Sequence, residues 1–63
     1  MPIVTIKMYE GRTLEQKRAL AKAVTDAVVR TTGATPEGTF VVIEDVKFEH
    51  WATAGILASD AKK

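Results

Sequence analysis

Cysteine is absent from this 63-residue chain, and histidine occurs once, at position 50. Without cysteine there are no disulfides and no thiolate ligands, and a lone imidazole cannot build an all-protein zinc site. Long hydrophobic runs are missing too, so no segment reads as a membrane span. The start lacks the basic region and apolar run of a secretory signal. Nor is there an excess of one charge: nine Lys+Arg stand against eight Asp+Glu, a formal net charge of +1. A nucleic-acid binder is markedly more basic, with aromatics interleaved among the cations. Ser59 is the only serine and has no recognisable spacing to His50. No glycine-rich phosphate loop, acidic metal cluster or cofactor fingerprint is present. These absences lead us to expect a cytoplasmic protein with no cofactor or metal and no nucleic-acid or membrane partner.

What is there fits one domain, residues 1–63, at ordinary globular composition with 46% hydrophobic and 27% charged residues. A chain this short buries too little apolar surface to offset its ordering entropy comfortably, and no disulfide or metal is available as a staple. Stability is therefore expected only in an oligomer.

Residues 1–8 alternate, with Val4, Ile6 and Met8 on one side and Ile3, Thr5, Lys7 and Tyr9 on the other, a period of two that predicts a strand. Gly11 breaks it. Thr13-Leu14-Glu15-Gln16 follows the capping-box pattern. Leu20, Ala23, Val24, Ala27, Val28 and Thr31 then fall on one helical stripe, predicting a helix over 14–32. Lys17, Arg18, Lys22, Asp26 and Arg30 mostly face away from that stripe, with Asp26 and Arg30 spaced to pair. Gly33 is placed to end the helix in the left-handed conformation. After a turn at 35–38, Thr39 to Glu44 is a near-continuous apolar strand, the composition of a strand buried on both faces. Strand, helix and strand in that order make a β-α-β unit with parallel strands. Residues 46–55, with Gly55 at a tight bend, suit a short C-terminal hairpin, and the end from Asp60 to Lys63 is expected to be mobile unless covered. The fold class is α/β: one β-α-β unit plus a short C-terminal hairpin, oligomerised. Two parallel strands with one helix leave a sheet face and two edges bare. Edge-to-edge pairing of two copies still leaves a face to cover, so further association is expected.

One chemical feature stands out: the second residue is proline. Proline is small enough for the initiator methionine to be removed, which leaves a secondary amine on a rigid ring. An α-amino group has a reference pKa near 8, and desolvation disfavours its charged form. In an apolar pocket such an amine can act as a general base. Many chains begin Met-Pro without any such role, and Pro2 alone does not decide between the two readings.

The residues that follow narrow the choice. Met1 to Arg18 combines a proline amino terminus, a hydrophobic strand, Glu10-Gly11-Arg12 and a capped helix with Glu15-Gln16-Lys17. With Thr32-Gly33-Ala34, Val41-Val42-Ile43-Glu44 and the stretch from His50-Trp51 to Gly55, this resembles the 4-oxalocrotonate tautomerase family over nearly the whole chain. The resemblance implies a β-α-β subunit assembled as a homohexamer, a trimer of dimers. It also implies cofactor-independent tautomerisation of 2-hydroxydienoates to 2-oxo acids, an isomerase reaction on a small-molecule carboxylate.

Pro2, freed of Met1, matches the family's catalytic base. Arg12 matches its carboxylate-binding arginine, often supplied to a neighbouring subunit's site. The other reading of Arg12 is a solvated turn residue. Where well-studied members carry a second arginine, at the start of the second strand, this chain has Phe40. That loss implies a slower or altered tautomerase, favouring substrates with one carboxylate or an aryl group. Trp51 stands where the family has a pocket-lining aromatic, and packing at a subunit interface is an equal reading of it. Tyr9 stands near, with no required role, and His50 reads as structural rather than catalytic. The alternatives are a proline-based hydratase, dehalogenase or decarboxylase, in which protonated Pro2 serves as acid, and a non-enzymatic oligomeric module.

Overall fold

The structure is a computed structural model and describes residues 1–61. The first strand, β1 (Ile3–Tyr9), runs parallel to β2 (Phe40–Val46), in a register from Ile3 opposite Phe40 to Tyr9 opposite Val46. Helix α1 (Leu14–Thr32) connects them. A single 3-10 turn at Phe48–His50 leads into the antiparallel pair β3 (Ala52–Thr53) and β4 (Ile56–Leu57), and a last helical turn, α2 (Ala58–Ala61), follows.

The helix forms where its caps say it should. The Gln16 N–H donates to Thr13 Oγ1 at 3.1 Å, and the Thr13 N–H donates to Gln16 Oε1 at 2.9 Å, closing the capping box. At the other end Gly33 takes φ 79° and donates its N–H to the Val29 carbonyl at 3.0 Å. The inward stripe is rotated slightly from the predicted one. Lys17, Leu20, Ala21, Val24, Ala27 and Val28 are half-buried, whereas Ala23 and Thr31 are exposed. Lys17 lies one turn before Leu20 and Ala21 on the same face, so it turns its stem inward and ion-pairs with Asp45 of β2. Asp26 pairs with Lys22 at 2.8 Å rather than with Arg30, and that hydrogen bond and charge hold the Lys22 ammonium above its ordinary pKa.

The sheet differs from expectation in one telling way. Its strands alternate: Val4, Ile6, Met8, Val41 and Ile43 are half-buried on the face that α1 covers. On the opposite face Ile3 is 61% exposed, Phe40 47% and Val42 46%. Strand β2 is thus not buried on both faces within one chain, because one helix supplies only one layer. No hydrophobic residue is fully buried among the described residues, and Thr39, at 9% exposure, is the most enclosed side chain. The accessible surface of 4807 Å² exceeds the roughly 4,000 Å² expected of a compact monomer of this mass. The radius of gyration, 14.8 Å, exceeds the roughly 11 Å expected for this length. Within the single chain that face of the sheet has no second layer.

The C-terminal hairpin forms as predicted and is tighter than Gly55 alone implies. Both of its turn residues have positive φ, Ala54 at 54° and Gly55 at 79°, the requirement of a two-residue turn that follows the strand twist. Of the terminal residues, Asp60 and Ala61 belong to α2, while Lys62 and Lys63 lie outside the described residues.

Two outcomes follow from this architecture. Sedimentation should give a mass that is a multiple of 6.9 kDa, and the melting temperature should fall on dilution, because folding is coupled to association. Ala54→Gly should raise stability by about 0.5–1 kcal/mol in a urea titration at fixed protein concentration, by removing a Cβ from the left-handed region.

Candidate active site

Pro2 stands immediately before β1, where a residue without an N–H does not interrupt the ladder. Its carbonyl accepts a hydrogen bond from the Phe40 N–H at 2.9 Å. The backbone of the amino terminus is therefore tied to the start of β2, and Pro2 and Phe40 sit side by side at one end of the sheet. Met1 is 84% exposed. While it is attached, the Pro2 nitrogen is a tertiary amide with no basic lone pair.

Arg12 lies at the other end. Gly11, at φ 118°, turns the chain out of β1 and presents Arg12 to solvent. Arg12 has no ion pair among the described residues. It borders a concavity of about 200 Å³ with Met8, Gln16, Lys17 and Leu20. The seven residues of β1, six steps of about 3.3 Å, separate its two ends by roughly 20 Å. No small metabolite spans that distance, so Pro2 and Arg12 of one chain do not share a substrate.

Trp51 also belongs to the far end. Its ring centroid lies 4.6 Å from that of Tyr9, which in turn meets Phe48 edge-on at 4.8 Å. The Glu10 N–H donates to the Val46 carbonyl at 3.0 Å and extends the ladder past Tyr9, holding this corner together. Beside the trio is an apolar cleft of about 310 Å³ lined by Tyr9, Phe48, Thr53, Ile56, Ala58 and Ala61. Trp51 borders a second, more open concavity with Lys7, Glu44 and His50. His50 is exposed, and its nearest carboxylate is that of Glu49, with Nε2 at 3.9 Å.

The structure thus joins Pro2 to Phe40 at one end of the sheet and leaves Arg12 and Trp51 at the other, Arg12 beside Met8 and α1 and Trp51 beside Tyr9 on the opposite face. The Tyr9–Phe48–Trp51 cluster was not legible beforehand, because its members come from three elements that only the hairpin fold draws together. No group of three His, Cys, Asp or Glu side chains able to hold a metal occurs among the described residues. No helix among them is long and apolar enough to cross a membrane.

Residues 2–61 match the family described as "Tautomerase enzyme". The match begins at Pro2. This chain belongs to the tautomerase family. A 2-hydroxymuconate tautomerase of Bacillus subtilis (strain 168) is 55% identical over 60 residues, spanning 95% of this chain and 97% of that protein. The crystal structure of YwhB, a homologue of 4-oxalocrotonate tautomerase, superposes with a TM-score of 0.90 at 54% identity and covers 94% of this chain and 97% of its own. A heterohexameric 4-oxalocrotonate tautomerase from Chloroflexus aurantiacus J-10-fl gives a TM-score of 0.88 at 32% identity, with 95% and 97% covered. The tautomerase fold, inferred above from residue pattern and resemblance, is therefore the fold of this chain, and assembly is a property of at least one relative.

The aromatic corner offers a direct check on the geometry of the tautomerase subunit. Phe48→Ala should cost about 2 kcal/mol in chemical denaturation, below the full value for a deeply buried ring because Phe48 is half-buried. It should also shift Trp51 fluorescence to longer wavelength as water reaches the Tyr9–Trp51 contact.

Proposed function

We propose that this tautomerase-family chain is a cofactor-independent enol–keto isomerase of 2-hydroxydienoates and 2-oxo acids, with the Pro2 amine as its general base once Met1 is removed. The observation that carries the reading is the hydrogen bond between the Phe40 N–H and the Pro2 carbonyl. It fixes the backbone next to the nitrogen, so processing unmasks an amine already held in place at the start of β2. The start of the family match at Pro2 supports the same reading.

The chemistry needs only a proton and a place to hold charge. The neutral Pro2 nitrogen takes the proton of the enol hydroxyl; the O–H bond breaks and the carbonyl forms. The electron pair of the conjugated double bond then takes that proton from Pro2 at carbon, which restores the free amine. Substrate and product are isomers, and no oxidant or second reactant enters. Apolar surroundings lower the amine's pKa by disfavouring its ammonium form, which keeps a neutral fraction available near pH 7.

The substrate carboxylate is held by Arg12 of an adjoining subunit. Its permanently charged guanidinium suits bidentate carboxylate binding, and the separation of the two ends of β1 excludes the Arg12 of the same chain. Trp51, from the same end as Arg12, would reach the pocket from that neighbour and keep it dry. A homohexamer, arranged as a trimer of dimers, supplies such neighbours and covers the bare sheet face. Phe40 occupies the position beside the base where a second cation would polarise the carbonyl. Comparable electrostatic donors are worth about 3 kcal/mol, so the reaction is expected to be slower than in relatives that have one.

Ultraviolet monitoring of a dienol or an arylenolpyruvate tests the proposal on protein whose intact mass shows loss of one methionine. Pro2→Ala should lower kcat by about 100-fold or more. Arg12→Ala should act mainly on KM, by about 30-fold, the value of a charge-assisted hydrogen bond pair, with stability within about 0.5 kcal/mol because Arg12 is exposed. Protein retaining Met1 should be inactive. Full activity in Pro2→Ala overturns the assignment of the base. Turnover of an acetylenic or haloacrylic acid without enol–keto activity would make the protein a lyase instead.

A further inference from the structure

We propose that Lys17 is a positioning residue for Arg12: by holding Asp45 in an ion pair, it keeps the Arg12 guanidinium free to take a substrate carboxylate. The proposal rests on the reading of Arg12 as the carboxylate-binding residue and deepens it.

Arg12 and Lys17 are the two cations that line one concavity, between Met8 of β1 and Leu20 of α1. The backbone between them is pinned. The capping box ties Gln16 to Thr13, and the Lys17 N–H donates to the Thr13 carbonyl at 3.1 Å. Asp45 belongs to the same corner: the register sets it opposite Met8, about 4.8 Å across the sheet. Lys17 Nζ reaches its Oδ2 from α1. Two other carboxylates stand near in sequence, and neither lines the concavity. Glu15 faces Arg18 at 3.6 Å, and Glu10 lies on the far side of the Gly11 turn. Asp45 is therefore the carboxylate placed to compete for Arg12, and Lys17 already occupies it. Arg12 has no ion pair among the described residues.

An arginine paired with a carboxylate of its own chain must release that partner before it binds a substrate, so the internal pair subtracts from affinity. A lysine suits the blocking role because its ammonium is a compact charge on a flexible stem, while the planar guanidinium is the better match to a carboxylate. The Lys17 and Asp45 side chains are 28% and 40% exposed, so water and salt screen their attraction less than in an open surface pair. Lys17 touches no substrate in this account. It acts on binding through Asp45 and Arg12 and leaves the proton transfer at Pro2 unaltered.

The test measures kcat and KM for phenylenolpyruvate on methionine-processed protein whose assembly is checked by sedimentation. Lys17→Met should raise KM about fivefold, the scale of a partly exposed ion pair that the substrate must displace, with kcat changed less than about twofold. Lys17→Gln, which keeps a hydrogen-bond donor beside Asp45, should move KM in the same direction and serves where Lys17→Met fails to assemble. The double variant Lys17→Met with Asp45→Asn should return KM to the wild-type value. A purely structural link between α1 and β2 predicts the opposite, since the double variant lacks the link as well. In an Arg12→Ala background, Lys17→Met should leave KM where Arg12→Ala alone puts it; a further rise means that Lys17 acts on the substrate through its general field. An unchanged KM in both Lys17 variants, no rescue by Asp45→Asn, or that further rise overturns the proposal while Arg12 keeps its role. An unchanged KM in Arg12→Ala overturns the binding role of Arg12 and this proposal with it.

Discussion

A two-stranded parallel sheet with a helix on one side has one face too many. Everything else about this chain depends on that shortfall. The helix covers Val4, Ile6, Val41 and Ile43, while Ile3, Phe40 and Val42 face outward, and no hydrophobic side chain reaches full burial. A disulfide or structural metal is the usual compensation for a missing layer in so small a chain, but there is no cysteine, and no cluster of metal ligands occurs among the described residues. What remains is association, as proposed above. In the proposed assembly, copies that cover the bare face would also bring opposite ends of the sheet together. A site shared between subunits would then be a by-product of folding rather than an addition to it.

The legible parts of the fold were those decided within a few residues. The capping box of Thr13 and Gln16, the left-handed Gly33 and the alternation along β1 each rest on local geometry, and each formed at the positions the pattern indicated. The apolar run of β2 was read correctly as a strand, but its implied second covering layer is not part of the chain that encodes it. Composition reports burial in the final assembly and says nothing about which molecule supplies the neighbour. The inward turn of Lys17 is not legible in the sequence because a lysine's stem and head favour different surroundings. Ala54 escaped because alanine carries no mark of the positive φ that the hairpin requires of it.

The candidate site was legible in a different way. Nothing in periodicity or composition distinguishes Pro2 from the proline of any chain beginning Met-Pro, and Arg12 is by itself a polar turn residue. Their roles came from the resemblance of a long stretch of sequence. The structure contributes what that resemblance could not: Pro2 and Phe40 are joined by a backbone hydrogen bond, and Arg12 and Trp51 are held at the far end of the sheet. The Tyr9–Phe48–Trp51 cluster lay beyond both, since it depends on contacts between a strand, a turn and the approach to a hairpin.

The amino terminus suits a chain of this size for a reason of entropy as well as scarcity. A lysine used as a base must have its long side chain fixed against as much as about 2 kcal/mol of rotamer entropy, usually by a shell of packed neighbours. Such a shell is what a subunit with no fully buried apolar side chain lacks. A proline nitrogen has no side-chain torsions to restrain. Its ring fixes φ, and its carbonyl is already held by Phe40. The sheet that forms for reasons of folding would therefore also position the proposed base, with no further groups assigned to the task. Exposing that nitrogen then requires only one proteolytic step at Met1, the most solvent-exposed of the large apolar residues.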